Sequence, residues 1–227
     1  MRDMFKRLLV LGMLGLVTAT GCTSTSNESG GSSLPDGAAL LKDAAEAIKP
    51  VNSATFALVV TGVVPGIPVK EVSGDLTKAG DAIGNAKLDQ FGQTFEVQYV
   101  LKDKILYIKG ITGSWQQFGD ATQIYDPSAI LDPNRGVAKL LGAIQTPVTE
   151  GAEDVATFKT YRVAGKVAKD VVAGLVPSVP SDVNVKVWVK QDGNHQPVRA
   201  TVELTPGNSV EITLSEVDKP VTVTKPI

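Results

Sequence analysis

Cys22 is the only thiol in the 227-residue chain, and its neighbours define the chemistry it is suited to. Ala19, Thr20 and Gly21 precede it, an apolar run from Leu8 to Val17 precedes them, and Arg2, Lys6 and Arg7 lie near the start. A basic start, an apolar stretch too short to cross a bilayer core of about 30 Å, and small residues at a cut site make a signal peptide. With cysteine directly after the cut, the pattern is that of a bacterial lipoprotein signal: residues 1–21 are removed and the Cys22 sulfur carries lipid. Ala19 stands where Leu is commonest. A lone cysteine forms no intramolecular disulfide and offers no redox pair.

Other reactive side chains are sparse. No Gly-x-Ser-x-Gly elbow, Gly-x-Gly-x-x-Gly loop or P-loop occurs. His195 is the single histidine and lies in Gly193-Asn194-His195-Gln196, which reads as a hairpin turn rather than the seat of a general base. No acidic run has EF-hand spacing, so no metal site is expected. Glu150, Glu153 and Asp154 read as a solvated turn. Trp115, Gln116, Gln117 and Phe118 suit either sugar stacking or strand-end packing, with packing favoured. Trp188 alternates with valines and is placed on an outer face, near a partner or headgroup. An enzyme is disfavoured.

Three regions follow from composition. Residues 1–21 are the signal, and 22–33 are the lipidated cysteine and a Ser/Thr/Gly tether with one charge, Glu28. Residues 34–227 are one domain large enough for a substantial core. Loss of the signal takes 22 basic and 24 acidic residues to 19 and 23, moving the net charge from -2 to -4. A mildly acidic chain without a basic stripe is unsuited to nucleic acid.

The domain reads as a helix, a run of strands, helices, then strands again. Asp36 is the expected N-cap of a helix carrying Leu41, Ala44, Ala45 and Ile48, ended at Pro50. Segments 53–61, 69–77, 82–89, 95–99 and 105–109 alternate apolar and polar residues as an antiparallel meander. Asp126-Pro127 and Asp132-Pro133 are helix starts, and Val137 to Ile144 continues helically. Phe158 to Val167 is a strand and Ala168 to Val176 a short helix. Val183, Val185, Val187 and Val189 begin a second meander through Leu204 and Val217, with Val221 and Val223 as a further edge.

The fold class is therefore α+β: a large antiparallel sheet with one wet face and helices on the other. Those helices are rich in Ala and Gly, and aromatic residues are 5 % of the chain. Interiors pack at a density near 0.75. Small residues on the helices allow two outcomes, close helix–sheet packing or an apolar hollow between the layers.

The order and spacing of several segments resemble the LppX/LprA/LprF/LprG lipoproteins of the mycobacterial envelope, most closely the LprG branch. The segments are Leu34-Pro35-Asp36, Val64-Pro65-Gly66 with Lys70, Ser73-Gly74-Asp75-Leu76, Ile105-Leu106-Tyr107, Ile124-Tyr125-Asp126-Pro127, Leu131-Asp132-Pro133, Gly207-Asn208-Ser209-Val210 with Thr213-Leu214-Ser215, and Val223-Thr224-Lys225-Pro226. The resemblance implies a curved, half-barrel-like sheet with helices on its concave face enclosing an apolar cavity. It implies a non-enzymatic carrier of triacylated glycolipids (phosphatidylinositol mannosides, lipomannan, lipoarabinomannan) or triacylglycerol. Such a carrier is lipid-anchored to the outer face of the inner membrane, works with a major-facilitator transporter, and moves cargo toward the outer envelope. Gly84 to Leu88 resembles the strand at the cavity mouth, with Ala86 inward.

Alternation assigns the inward set as Leu58, Val60, Leu76, Ala86, Leu88, Val97, Leu140, Ile144, Val185, Val187, Val202 and Leu204, the residues expected to line such a cavity. The alternative is a surface-anchored binding module with a solid core, making contact through the wet face or Trp188.

Overall fold

The computed structural model describes residues 34–64, 69–90, 92–121, 128–175, 179 and 181–227. Cys22, the signal and the tether lie outside the described residues, as do the Pro65 to Pro68 corner and Asp126-Pro127. Leu34 to Ile227 forms one compact unit. Among the described residues no helix is long and apolar enough to cross a membrane.

Eleven strands form a single curved antiparallel sheet. In chain order the elements are α1 (Gly37–Ile48), β1 (Ser53–Thr61), β2 (Val69–Thr77), β3 (Ala82–Gln90), β4 (Gln93–Lys102), β5 (Ile105–Lys109), β6 (Trp115–Asp120), α2 (Ser128–Leu131), α3 (Val137–Gly142), β7 (Gln145–Val155), β8 (Phe158–Val167), α4 (Lys169–Val172), β9 (Val183–Lys190), β10 (Pro197–Thr205) and β11 (Asn208–Ser215). The spatial order is β6-β5-β4-β3-β2-β1-β11-β10-β9-β8-β7. Two meanders are thus joined where β1 pairs with β11, with Val60 opposite Val210.

Each register follows from the alternation. Val183, Val185, Val187 and Val189 all turn inward and are at most 3 % exposed. They meet Leu40, Leu41, Ala44 and Ile48 of α1 and Val137, Leu140 and Leu141 of α3 in the main core. Burying a side chain of this size contributes about 1.5–3 kcal/mol. Helix α1 starts where Asp36 caps it, Oδ1 accepting from the backbone N–H of Ala38 at 3.0 Å and of Ala39 at 3.4 Å. It packs on α3 and on β7, β9 and β10.

Several expectations change. The polar segment from Thr149 to Asp154 is no turn but part of β7, an eleven-residue edge strand paired with β8. As an edge strand it buries little, so its side chains stay polar, and two register shifts interrupt the ladder. Asp132 starts no helix: its Oδ1 accepts from the N–H of Asn134 and Arg135 in the turn before α3, whose N-cap is Gly136. The helix expected from Ala168 to Val176 shrinks to the four residues of α4.

Val221 and Val223 add no strand. The chain beyond Glu216 instead crosses the convex face as an irregular strap. Ser53 Oγ donates to the Lys219 carbonyl at 2.5 Å, and Lys219 Nζ reaches Asp75 at 2.8 Å and Glu216 at 2.7 Å. Val223 is buried against Val100 and Tyr107, and the Lys225 ammonium lies 5.7 Å from the Tyr107 ring centre.

Candidate functional site

The concave face of the sheet is covered unevenly. Over β3–β6 lies a pocket of about 440 Å³ lined by Leu88, Phe95, Val97, Ile108, Gly110, Ile111, Thr112, Gln116 and Phe118. Pairing of Leu88 with Phe95 and of Ala86 with Val97 puts these four on one face. The intervening residues face the other way, where Lys87 pairs with Glu71 at 2.7 Å. Strands β5 and β6 add Ile108 and Phe118, and the loop between them adds Gly110 to Thr112. Among the described residues no charged side chain lines this pocket. Its volume falls in the range of about 300–1,000 Å³ typical of small-ligand sites, whose walls are mostly apolar.

Further along β4 the next inward residues, Tyr99 and Leu101, pack in or against the main core. Tyr99 therefore marks where the pocket gives way to solid interior. Its hydroxyl donates to the Ser73 carbonyl at 3.4 Å, and burial, helped by the Asp75 charge, pushes the phenol pKa up. Opposite Tyr99 sits Gly84, and opposite Gly84 sits Gly74. A Cβ on Gly84 would stand 1.9 Å from the Ser73 carbonyl oxygen, and one on Gly74 would stand 2.1 Å from that of Ile83. The sheet accepts only glycine at these two places.

Of the twelve residues assigned inward, Leu88 and Val97 line the pocket. Ala86, 8 % exposed, sits directly opposite Val97 and two residues from Leu88 on the same face. Val60, Leu76, Leu140, Ile144, Val185, Val187, Val202 and Leu204 are brought together in the main core, with Leu58 packed against it. Phe95, two residues before Val97 on the same face, lines the pocket as well. Ile108, Gly110, Ile111, Thr112, Gln116 and Phe118 were missed because their segment is short and interrupted by a glycine-rich loop. Trp115 to Phe118 belongs to β6, with Gln116 and Phe118 toward the pocket and Trp115 packed near Val223 on the convex side.

Two other hollows suit apolar ligands less well. One of about 650 Å³ lies against α1 and α3, and Lys42, Lys49, Lys139 and Glu46 are in its wall. One of about 340 Å³ is lined by Asn184, Lys186, Glu203 and other polar residues.

Trp188 faces outward as expected, but it is 8 % exposed and packed with Val155, Val198 and Phe158. Its indole N–H donates to Glu153 at 2.6 Å, and the Arg199 guanidinium lies 5.4 Å from its ring centre. The Trp188 hydrogen bond, with Arg162 beside it, overcomes burial and holds the Glu153 carboxyl below the usual range. Glu150 and Glu153 are thus tied to Arg162 at 2.7 and 2.6 Å rather than left in a solvated loop. His195 occupies its turn at φ 55°, with Nδ1 2.9 Å from the Lys190 carbonyl oxygen. Among the described residues no three His, Cys, Asp or Glu side chains gather into a metal-binding group.

The profile of the LppX_LprAFG lipoproteins matches residues 36–223. The lipoarabinomannan carrier protein LprG of Mycobacterium tuberculosis is 36 % identical over 226 residues, 97 % of this chain and 95 % of that protein. The protein of the same name from Mycolicibacterium smegmatis is 40 % identical over 212 residues, covering 91 % and 89 %. The crystal structure of LprF from Mycobacterium bovis superposes with a TM-score of 0.77 at 25 % identity, covering 85 % of this chain and 98 % of that one. LppX from Mycobacterium tuberculosis shares the fold at a TM-score of 0.64 and 22 % identity, covering 84 % and 100 %. With the family profile spanning nearly the whole compact unit and relatives aligned over almost their full length, the chain belongs to the LppX_LprAFG lipoprotein family.

Proposed function

We propose that this protein is a non-enzymatic carrier of acylated lipids, anchored through lipid on Cys22 to the outer face of the cell membrane. The observation that carries this reading is the uncharged apolar pocket on the concave face of β3–β6. Each CH₂ moved from water into such a site gains about 0.8 kcal/mol, whereas transfer from a bilayer interior is close to neutral. A carrier needs that near-neutrality, because loading and unloading then proceed without an energy source. Sugar headgroups would stay in water at the mouth.

Candidate cargoes are phosphatidylinositol mannosides, lipomannan, lipoarabinomannan and triacylglycerol, moved from the inner membrane toward the outer envelope with a major-facilitator transporter as partner. The names of the two LprG relatives support lipoarabinomannan. Additional acyl chains would need room now filled by core side chains. That room would come from α1 and α3 standing off the sheet, where Ala44, Ala45 and Ala138 alternate with larger side chains.

Mass spectrometry of protein purified from its own cell should find acylated lipid bound. Val97→Trp, which fills the pocket, should abolish that lipid while circular dichroism stays unchanged. Absence of lipid from the unaltered protein would refute the carrier reading. The solid-core binding reading loses its contact residue, since Trp188 is packed and hydrogen-bonded.

A further inference from the structure

The strand pairings give the sheet two ends whose hairpin turns differ in chemistry. One end comprises Thr61 of β1, Val69 of β2, Gln90 of β3, Gln93 of β4, Lys109 of β5 and, across β11–β8, the Gln145 end of β7. The pocket opens at this end, since Leu88, Phe95 and Gly110 belong to it. The longer β8–β9 connection at this end carries Lys169, Asp170 and Asp182, but the described hairpin turns 62–64, 92, 110–114 and 206–207 hold no charged residue. They do hold exposed apolar side chains: Val63 is 75 % exposed and Ile111 83 %, while Val148, near the start of β7, is 61 % exposed. The opposite end is polar. Its turns carry Lys78, Asp81, Asp103, Lys104 and Asp192.

A second observation concerns where the chain enters the domain. Leu34, itself 44 % exposed, leads into Pro35, whose carbonyl accepts from Thr149 Oγ1 at 2.7 Å, and Gly37 lies against Pro147. Both contacts are at the Gln145 end of β7, the pocket's end of the sheet. Leu34, the first described residue, therefore lies at the pocket's end of the sheet and not at the end that bears Lys78, Asp103 and Asp192.

We infer that the pocket end of the sheet is a membrane-docking face, with Val63, Ile111 and Val148 entering the outer layer of the bilayer so that the pocket opens into lipid and not into water. The occupant is a lipid surface: exposed apolar residues at hairpin tips that themselves carry no charge favour the interfacial region by burial of area, not by attraction to anionic headgroups. The inference rests on the carrier reading for its purpose and on the geometry for its location. A lipid that reached the mouth through water would pay the full transfer cost of its chains, and direct contact removes that step.

The test uses the full mature chain with Cys22→Ala, so that no anchor holds it to the membrane and a single new cysteine can be labelled. Val63→Cys, Val148→Cys and, at the opposite end, Asp192→Cys each carry an environment-sensitive dye and are mixed with phosphatidylcholine vesicles. Dyes at 63 and 148 should brighten and be quenched by brominated lipid, with little change at high salt, while the dye at 192 stays as in water. Equal responses at 63 and 192, or none at 63 and 148, would overturn the inference. Unlabelled Val63→Asp should slow uptake of fluorescent lipid from vesicles about tenfold and leave uptake from detergent micelles unchanged. Equal slowing from both sources would also overturn it. Failure of the unaltered chain to take lipid from micelles counts against the carrier reading instead, and the dye responses still decide the docking face.

Discussion

Strands β7–β11 and strands β2–β6 are each an antiparallel meander turning alternate residues inward, yet their concave faces end differently. The first set presents valines and leucines to α1, and the result is a solid interior in which Val163, Val187 and Val189 have no exposed surface. The second set presents Gly84, Ala86, Leu88, Phe95 and Val97, and over β3–β6 it has a pocket instead. Inward alternation by itself does not make a core. A core forms where a second layer supplies side chains to meet the sheet, and the twelve-residue α1 packs on β7, β9 and β10. The far halves of β2–β4 reach that core through Leu76, Ala82 and Leu101, and the halves nearer Leu88 and Phe95 do not.

The largest effect that would break this contrast is expected at the glycine pair. Gly84→Val forces a Cβ into the Ser73 carbonyl, so a loss on the order of 4 kcal/mol or outright misfolding should appear in urea unfolding. Gly110→Ala is the counterpart: its Cβ would meet Val97 Cγ1 at an ordinary 3.8 Å, and stability should hold. Next, Leu141→Ala in the solid half should cost about 3 kcal/mol, whereas Val97→Ala in the pocket should cost under about 1 kcal/mol and alter lipid occupancy instead. Similar losses at both positions would mean that the pocket is packed as tightly as the core.

A smaller effect concerns the strap. Removing residues 221–227 uncovers Val100 and Tyr107 behind the pocket and should lower stability by about 1–2 kcal/mol, with hydrogen exchange quickening in β4 and β5 and not in β9.

The smallest effect is on acid stability. Burial raises the Asp75 carboxyl, but hydrogen bonds from Lys219 and Thr55 outweigh it and leave the pKa lowered; Lys219 and Thr55 likewise lower Glu216. A carboxyl whose folded pKa is depressed contributes stability above its unfolded pKa and loses it as pH falls through the folded one. A shallow decline should therefore begin near pH 4 and continue downward, and Lys219→Ala should flatten it. An unchanged acid limb in that variant would show that the pair contributes nothing.

Much of the sheet was legible because period-two alternation survives wherever a strand has one dry face. Ser53–Thr61 and Val69–Thr77 match their expected bounds, and the valines of β9 fall on the expected side. Strand β7 was not legible, since an edge strand with Glu150, Glu153 and Asp154 has no apolar stripe to announce it. The strap was misread because Val221 and Val223 alternate as a strand would, yet the sheet beside them is already paired. At the pocket, Leu88 and Val97 were readable from alternation. Gly110, Ile111 and Thr112 were not, because a loop joins a wall only through tertiary closure. The packing of Trp188 depends on Glu153, 35 residues away, and no local pattern reports that.

The junction between β1 and β11 has a temporal consequence. Strand β1 is complete by Thr61, yet its partner on that side begins only at Asn208, and the clasp from Asp218 Oδ1 to the Asn52 N–H spans 166 residues. A chain threaded outward from its N-terminus therefore holds β1 with one bare hydrogen-bonding edge until nearly the whole sequence has emerged. The two meanders close on local contacts, and the seam between them is the slow, last event. A premature stop between β10 and β11 leaves two half-sheets with no strand to join them.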